Sequence, residues 1–264
     1  MKRIAISISC IMIASTIFVL SCKKDSADPN LPVLKLHPVN VTGKAGQHLL
    51  DTLDIFAPYG VGKLLISKTI NLVADDGFGV QTVTPVNTGT NTYQYIFEYM
   101  YQPDEVNKLV GINYHFEDSK GNFAEKDLTI NTNPSAAQII ASHQWKLVSK
   151  LWTTADPQTE SLNDCEKDNI TFFYIDSTME VKYGNIPCTF DGFNIYDKWY
   201  VSDDEKTFTD IYHSVFNPAQ VTNDQYNVTT LTKDKLVMNI AYDLSVFGLS
   251  DHEVFVFTYE ASPR

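Results

Sequence analysis

From about residue 31 onward, apolar and polar side chains alternate in short runs separated by turn-forming residues. Seven runs lead: Val33 to Val41, Gln47 to Phe56, Lys63 to Ile70, Phe78 to Thr84, Thr92 to Tyr101, Leu109 to Glu117 and Phe123 to Asn131. They are rich in Val, Ile, Leu, Tyr, Phe and Thr, the residues that suit a pleated, half-buried surface. In Ile112-Asn113-Tyr114-His115-Phe116 the period of two is clearest, which predicts a strand with one face in a core. Asp118-Ser119-Lys120-Gly121-Asn122 then reads as a hairpin turn. Asn131-Thr132-Asn133-Pro134 breaks the pattern. Ser135 to Ser142 groups Ala136, Ile139 and Ile140 as on one helix face, which predicts a short helix with Asn133 as N-cap and Pro134 at its first position. Eight further strands are expected: Trp145 to Thr153, Asn169 to Ile175, Met179 to Tyr183, Tyr196 to Val201, Thr207 to His213, Tyr226 to Leu231, Leu236 to Tyr242 and Glu253 to Tyr259. The 214–224 stretch is long and irregular in pattern. Seven short strands in roughly 100 residues suit a β-sandwich, and eight antiparallel strands with short connections suit an up-and-down barrel.

The N-terminus follows other rules. Lys2 and Arg3 precede an apolar run from Ile4 to Leu20, which ends at Val19-Leu20-Ser21-Cys22. Position, basic start and small-residue end predict a secretory signal rather than a membrane span. The last four residues resemble a bacterial lipobox. That resemblance implies cleavage before Cys22 and acylation of Cys22, anchoring the chain on the outer membrane, facing the periplasm or the cell surface. Acyl chains bind a bilayer at about 0.8 kcal/mol per buried CH₂, and stable anchoring takes more than one chain. Residues 1–21 would be the signal and 22–31 a polar tether. The Lys23-Lys24-Asp25 that follows loosely resembles a surface-export signal of some Gram-negative lipoproteins.

Residues 32–132 resemble, in pattern, the Ig-like or PKD-like modules of surface lipoproteins, although this stretch has neither Cys nor Trp. Residues 133–264 resemble the lipocalin-like domains of bacterial lipoproteins. Four elements carry that likeness: Trp145-Lys146-Leu147 after a short helix, Cys165-Glu166-Lys167-Asp168-Asn169-Ile170-Thr171-Phe172, Trp199-Tyr200-Val201 with its acidic turn to Thr207, and the late hairpin through Tyr226 and Leu236. The implied architecture is all-β: an Ig-like β-sandwich, a short linking helix and a lipocalin-like antiparallel barrel.

Composition then narrows the function. The chain holds 264 residues, 44% of them hydrophobic, which excludes a disordered polymer. Its formal net charge of −12 excludes nucleic acid as a natural partner, since phosphate neutralisation needs a basic surface. Removing residues 1–21, with two basic and no acidic side chains, would leave 18 basic against 32 acidic residues. Cys10 would leave with the signal and Cys22 would carry lipid, so Cys165 and Cys188 remain. In an oxidising compartment these two read as a disulfide, with free or metal-bound thiols as the alternative.

Chemistry-bearing residues are sparse in pattern. The six histidines stand singly at 37, 48, 115, 143, 213 and 252, without zinc-site spacing. Asp75-Asp76-Gly77, Asp203-Asp204-Glu205 and Asp164 to Asp168 fall at turns, where Asp serves the backbone locally; a calcium site near the first or last is the alternative. No nucleophile elbow, phosphate loop or dinucleotide fingerprint occurs. Asp51-Thr52-Leu53 and Asp176-Ser177-Thr178 resemble a short bacterial O-glycosylation signal. Alternate residues of a small barrel point inward and either fill it or line a pocket. The expected inward set includes Trp145, Phe172, Trp199, Tyr212, Met238 and Phe257, as a core or as the lining for a small apolar ligand. The expectation is therefore a non-enzymatic envelope lipoprotein without cofactor or metal. Its partners would be the membrane through Cys22 and a small apolar ligand. One alternative is glycan capture on exposed aromatics such as Trp152 and Tyr200; another is a structural subunit of an envelope complex.

Overall fold

The computed structural model describes residues 29–264, and the signal, Cys22 and most of the tether lie outside them. The chain is all-β with one short α-helix. Ten strands build the first half: β1 (Val33–Leu36), β2 (Asn40–Lys44), β3 (His48–Phe56), β4 (Val61–Ile70), β5 (Val73–Ala74), β6 (Val80–Val83), β7 (Val86–Gly89), β8 (Thr92–Met100), β9 (Val110–Asp118) and β10 (Phe123–Asn133). They form two sheets, ordered β1-β3-β8-β7 and β2-β10-β9-β4-β5, with β6 beside β4. The single run expected from Val33 to Val41 is two strands. The chain changes sheet at His37-Pro38, where proline has no N–H to give to a ladder.

Period-two patterning becomes two-layer packing. Ile112, Tyr114 and Phe116 on β9 are fully buried, as are Leu64 on β4, Leu53 on β3 and Leu128 and Ile130 on β10. Their partners across the sandwich include Phe97 and Tyr99 of β8. An ion-paired cluster enters this core. Lys68 lies between Asp75, at 3.1 Å, and Glu105, which is 1% exposed and also accepts a hydrogen bond from the Tyr99 hydroxyl. Burial alone would depress the Lys68 ammonium, but these two carboxylates hold it above its ordinary range. That cluster is internally paired.

The linking helix α1 (Ala136–Ser142) is capped by Ser135, not Asn133. The Ser135 hydroxyl accepts from the Gln138 N–H, and the Gln138 side chain accepts from the Ser135 N–H, a capping box. Pro134 precedes the cap, so the expected start is displaced by two residues.

Nine strands follow: β11 (His143–Trp152), β12 (Thr159–Glu160), β13 (Ile170–Phe173), β14 (Met179–Lys182), β15 (Asn194–Val201), β16 (Thr207–Ser214), β17 (Asn217–Leu231), β18 (Lys235–Tyr242) and β19 (Glu253–Pro263). Eight of them run in the order β14-β13-β11-β19-β18-β17-β16-β15, a nearly closed antiparallel barrel, with β12 beside β11. Most of the irregular stretch 214–224 is in fact the first half of β17: Ser214 ends β16, and residues 217–224 lie in β17, which pairs with β16. Trp199 joins the two ends of the sheet. Its backbone N–H donates to Ser177 at 2.9 Å, and its indole N–H is shared between the carbonyls of Tyr174 and Thr178 at 3.0 and 2.9 Å.

Candidate functional site

Inside the barrel a cavity of ≈ 430 Å³ opens above a packed aromatic floor. The floor is built by Trp145, Phe173, Trp199 and Phe208, all nearly or fully buried. Trp145 is pinned there by its indole N–H, which donates to the Ile140 carbonyl of α1 at 2.8 Å. Phe173 meets Trp199 and Phe208 edge-on, each at 5.3 Å between ring centres. This end of the barrel is a core.

Strand parity decides what stands above it. On β16 the inward series is Phe208, Asp210, Tyr212, and on β17 it includes Asp224 and Tyr226. Asp210 and Asp224 are direct cross-strand partners, so their side chains leave the sheet side by side. Two bulges alter the parity elsewhere. On β11 the register shifts between Leu147 and Ser149, leaving Val148 without an opposite residue. The alternation restarts one residue later, so Lys150 faces the lumen where Ser149 otherwise would. On β15 a shift between Tyr196 and Lys198 keeps both Tyr196 and Trp199 inward.

The resulting middle layer is polar. Asp224 accepts hydrogen bonds from the Tyr212 and Tyr242 hydroxyls at 3.2 and 3.3 Å. Asp210 is 8% exposed, and its Oδ1 is buried without a hydrogen-bond partner. Burial first, and then the charge of Asp224, pushes the Asp210 carboxyl up to about 7. Burial likewise drives the hydroxyls of Tyr196, Tyr212, Tyr226, Tyr242 and Tyr259 above the ordinary tyrosine range, so all five are neutral near pH 7. Lys150 pairs with Glu166 at 3.3 Å.

Toward the open end the lumen continues into a second cavity of ≈ 610 Å³, which shares Lys150, Glu166, Asn169 and Tyr196 with the first. Cys165 and Cys188 are disulfide-bonded and line this mouth, tying the loop before β13 to the loop before β15. Phe190, Phe193 and Phe216 form a ring cluster at the rim, with centres 5.6 and 5.0 Å apart, and Phe190 and Phe216 are about three-quarters exposed.

Of the residues expected to face a ligand, Tyr212, Met238 and Phe257 line the cavity. Trp145 and Trp199 belong to the floor and the seam, below it. Phe172 faces the other way: Thr171 and Phe173 line the lumen, while Phe172 stacks near Tyr174 and lies under Lys182 at 4.4 Å and Arg264 at 5.7 Å. The two adjacent phenylalanines give the alternation two possible phases, and the strand adopts the one that turns Phe173 inward. The expected apolar lumen is also corrected, because carboxylates, hydroxyls and an ammonium group interrupt its apolar lining. Asp210, Asp224 and Lys150 were missed. The available signal was an Asp at an inward position between Phe208 and Tyr212.

The remaining candidates resolve locally. Trp152 donates to Glu253 at 2.8 Å and stacks on Phe255, so it is not a free platform, whereas Tyr200 is about half exposed. Asp75 accepts from Gly77 and Phe78 within its turn, Asp168 from Asn185 and Ile186, and Asp204 from Ser202 and Lys206. Among the described residues no group of three or more His, Cys, Asp or Glu is placed to hold a metal. Asp51 is buried in β3, and Asp176-Ser177-Thr178 makes the β13–β14 turn. Cys22 lies outside the described residues.

No protein-family model matches the chain, and no curated protein matches it. Among solved structures it is similar to the sporulation control protein Spo0M from Bacillus subtilis, at 10% identity over 88% of this chain and 90% of that one, with a TM-score of 0.29. It is also similar to a DUF4466 family protein from Parabacteroides merdae, at 10% identity over 87% of this chain and 97% of that one, again with a TM-score of 0.29.

Proposed function

We propose that the chain is a non-enzymatic envelope lipoprotein, acylated at Cys22 and held on the outer membrane, whose lipocalin-like barrel binds a small polar ligand. The Ig-like sandwich would be the spacer between the anchor and the cup. The observation that carries the binding role is the ≈ 430 Å³ lumen with a buried carboxylate oxygen facing no partner. Its size falls within the range of roughly 300–1,000 Å³ usual for small-molecule pockets, and its few polar groups converge from different strands. A buried polar atom without a partner costs free energy in the empty protein, so an incoming donor recovers that cost. The anchor rests on the apolar run and the Leu20-Ser21-Cys22 junction.

Two measurements test the reading. Native mass spectrometry of the full chain taken from its own membranes is expected to retain a small-molecule adduct that Asp210→Asn lacks. An adduct-free chain whose melting temperature no small molecule raises would overturn the binding role. Fractionation tests the anchor separately: Cys22→Ala is expected to shift the chain from the membrane to the soluble fraction, and a variant that stays with the membrane counts against acylation. A glycan-capture reading keeps one supporting observation, the exposed Phe190, Phe193 and Phe216 cluster at the mouth, since flat aromatic faces can stack on sugar rings.

A further inference from the structure

Of three clusters among the buried polar groups, two are accounted for by their own neighbours. Lys68, Glu105, Asp75 and Tyr99 in the sandwich are partnered with one another. Glu253 in the barrel accepts from Trp152, Thr154 and Ser250. The third is different. Asp210 and Asp224 face the lumen together, and Asp210 keeps an unpartnered Oδ1 while being more than nine-tenths buried.

Among the described lining residues the acidic groups are Asp210, Asp224 and Glu166, and the basic one is Lys150, already paired with Glu166. The cavity thus holds an excess of negative charge with no cation of its own placed against it. Tyr212 and Tyr242 hold Asp224 from either side, and the ring of Tyr226 lies nearby on β17.

We propose that the lumen is a receptor for a small organic cation, an ammonium compound seated on the Asp210–Asp224 pair and flanked by tyrosine rings. This inference rests on the binding role proposed above and specifies its ligand class. An ammonium N–H donates to Oδ1 of Asp210 and at the same time supplies the missing positive charge; a neutral hydroxyl would do only the first. Tyrosine faces attract cations through their quadrupole, most strongly where water is excluded. A hard metal ion fits less well, since calcium takes six to eight oxygen ligands and the described residues offer no such cluster.

The test is calorimetric titration of the full chain with phenethylamine, with its neutral isostere 2-phenylethanol, and with the neutral polyol methyl glucoside. At pH 8 phenethylamine is expected to bind at least tenfold more tightly than either neutral compound. That preference is expected to shrink at pH 5.5 and to vanish in Asp210→Asn. Across this interval phenethylamine stays charged and the five tyrosines stay neutral, while the Asp210 carboxyl, raised by burial and by Asp224, takes up its proton. Asp210→Asn preserves shape, and a melting temperature at pH 8 no lower than that of the parent shows that it folds. If the alcohol or the polyol binds as well as the amine, or if the amine preference survives in Asp210→Asn, the cation inference falls while the binding role stands. If none of the three binds and the chain from native membranes carries no adduct, both fall.

Discussion

Asp210 is held in an environment that its own ionisation opposes. In an unfolded chain its carboxyl titrates near 3.8, and in the barrel burial and Asp224 push it up to about 7. Between those values the folded chain keeps a proton that the unfolded chain has released, so stability present below pH 4 is lost as pH rises toward 7. The loss is on the order of a few kcal/mol. Calorimetric melting of Asp210→Asn is therefore expected to match the parent near pH 4 and to exceed it at pH 8; a variant that melts lower at pH 8 contradicts this account. Lys68 is the opposite case, a buried cation with both partners in place. Lys68→Met strands Glu105 as a buried, unmatched charge and is expected to cost about 3–5 kcal/mol in urea unfolding. Adding Glu105→Gln should restore much of that loss, because the stranded charge is then gone.

Single elements set the lumen's chemistry through register. Val148 has no opposite residue on β19, and that one extra residue turns Lys150 inward. The β15 bulge lets Tyr196 serve the cavity and Trp199 serve the seam from one strand. Trp199 then closes the barrel, because β14 and β15 end the sheet and its indole N–H reaches two carbonyls of the β13–β14 turn. Trp199→Phe keeps a ring but removes the indole donor, while the two carbonyls keep the N–H groups of Ser177 and Tyr174. The expected cost of the lost hydrogen bond is about 0.5–1.5 kcal/mol, with faster amide hydrogen exchange confined to β14 and β15. Exchange that accelerates uniformly around the barrel would argue against a local seam.

At the scale of the whole molecule, Glu205 couples the two halves. Its carboxylate accepts from the Ala136 N–H at the start of α1 and pairs with Lys44 on β2. Gln138 adds a bond from its side-chain amide to the Pro103 carbonyl, at 3.1 Å. Both links sit near the surface, where an ion pair contributes roughly 0–1 kcal/mol. Glu205→Ala is accordingly expected to shift the melting temperature little and to broaden the distance distribution in small-angle scattering. A large drop in melting temperature without broadening would place Glu205 within the barrel's own stability instead.

Sequence alone determined the β character, most of the longer strands and the break near Pro134, because period-two burial and turn residues are local signals. Cys165 and Cys188 were also legible as a pair, since two thiols remain once Cys10 is assigned to the expected signal and Cys22 to the expected lipid. The tertiary structure decided the rest. Phe172 and Phe173 are both aromatic, so only pairing with β11 and β14 settles which faces the lumen. Lys150 turns inward through a bulge that leaves no mark in hydropathy. Residues 217–224 carry few apolar side chains, yet they form a strand because β16 supplies the ladder. Asp210 and Asp224 are fourteen positions apart, and each looks like an ordinary surface acid. Only the β16–β17 register sets them side by side over an aromatic floor, where burial changes a common residue into the charge that defines the site.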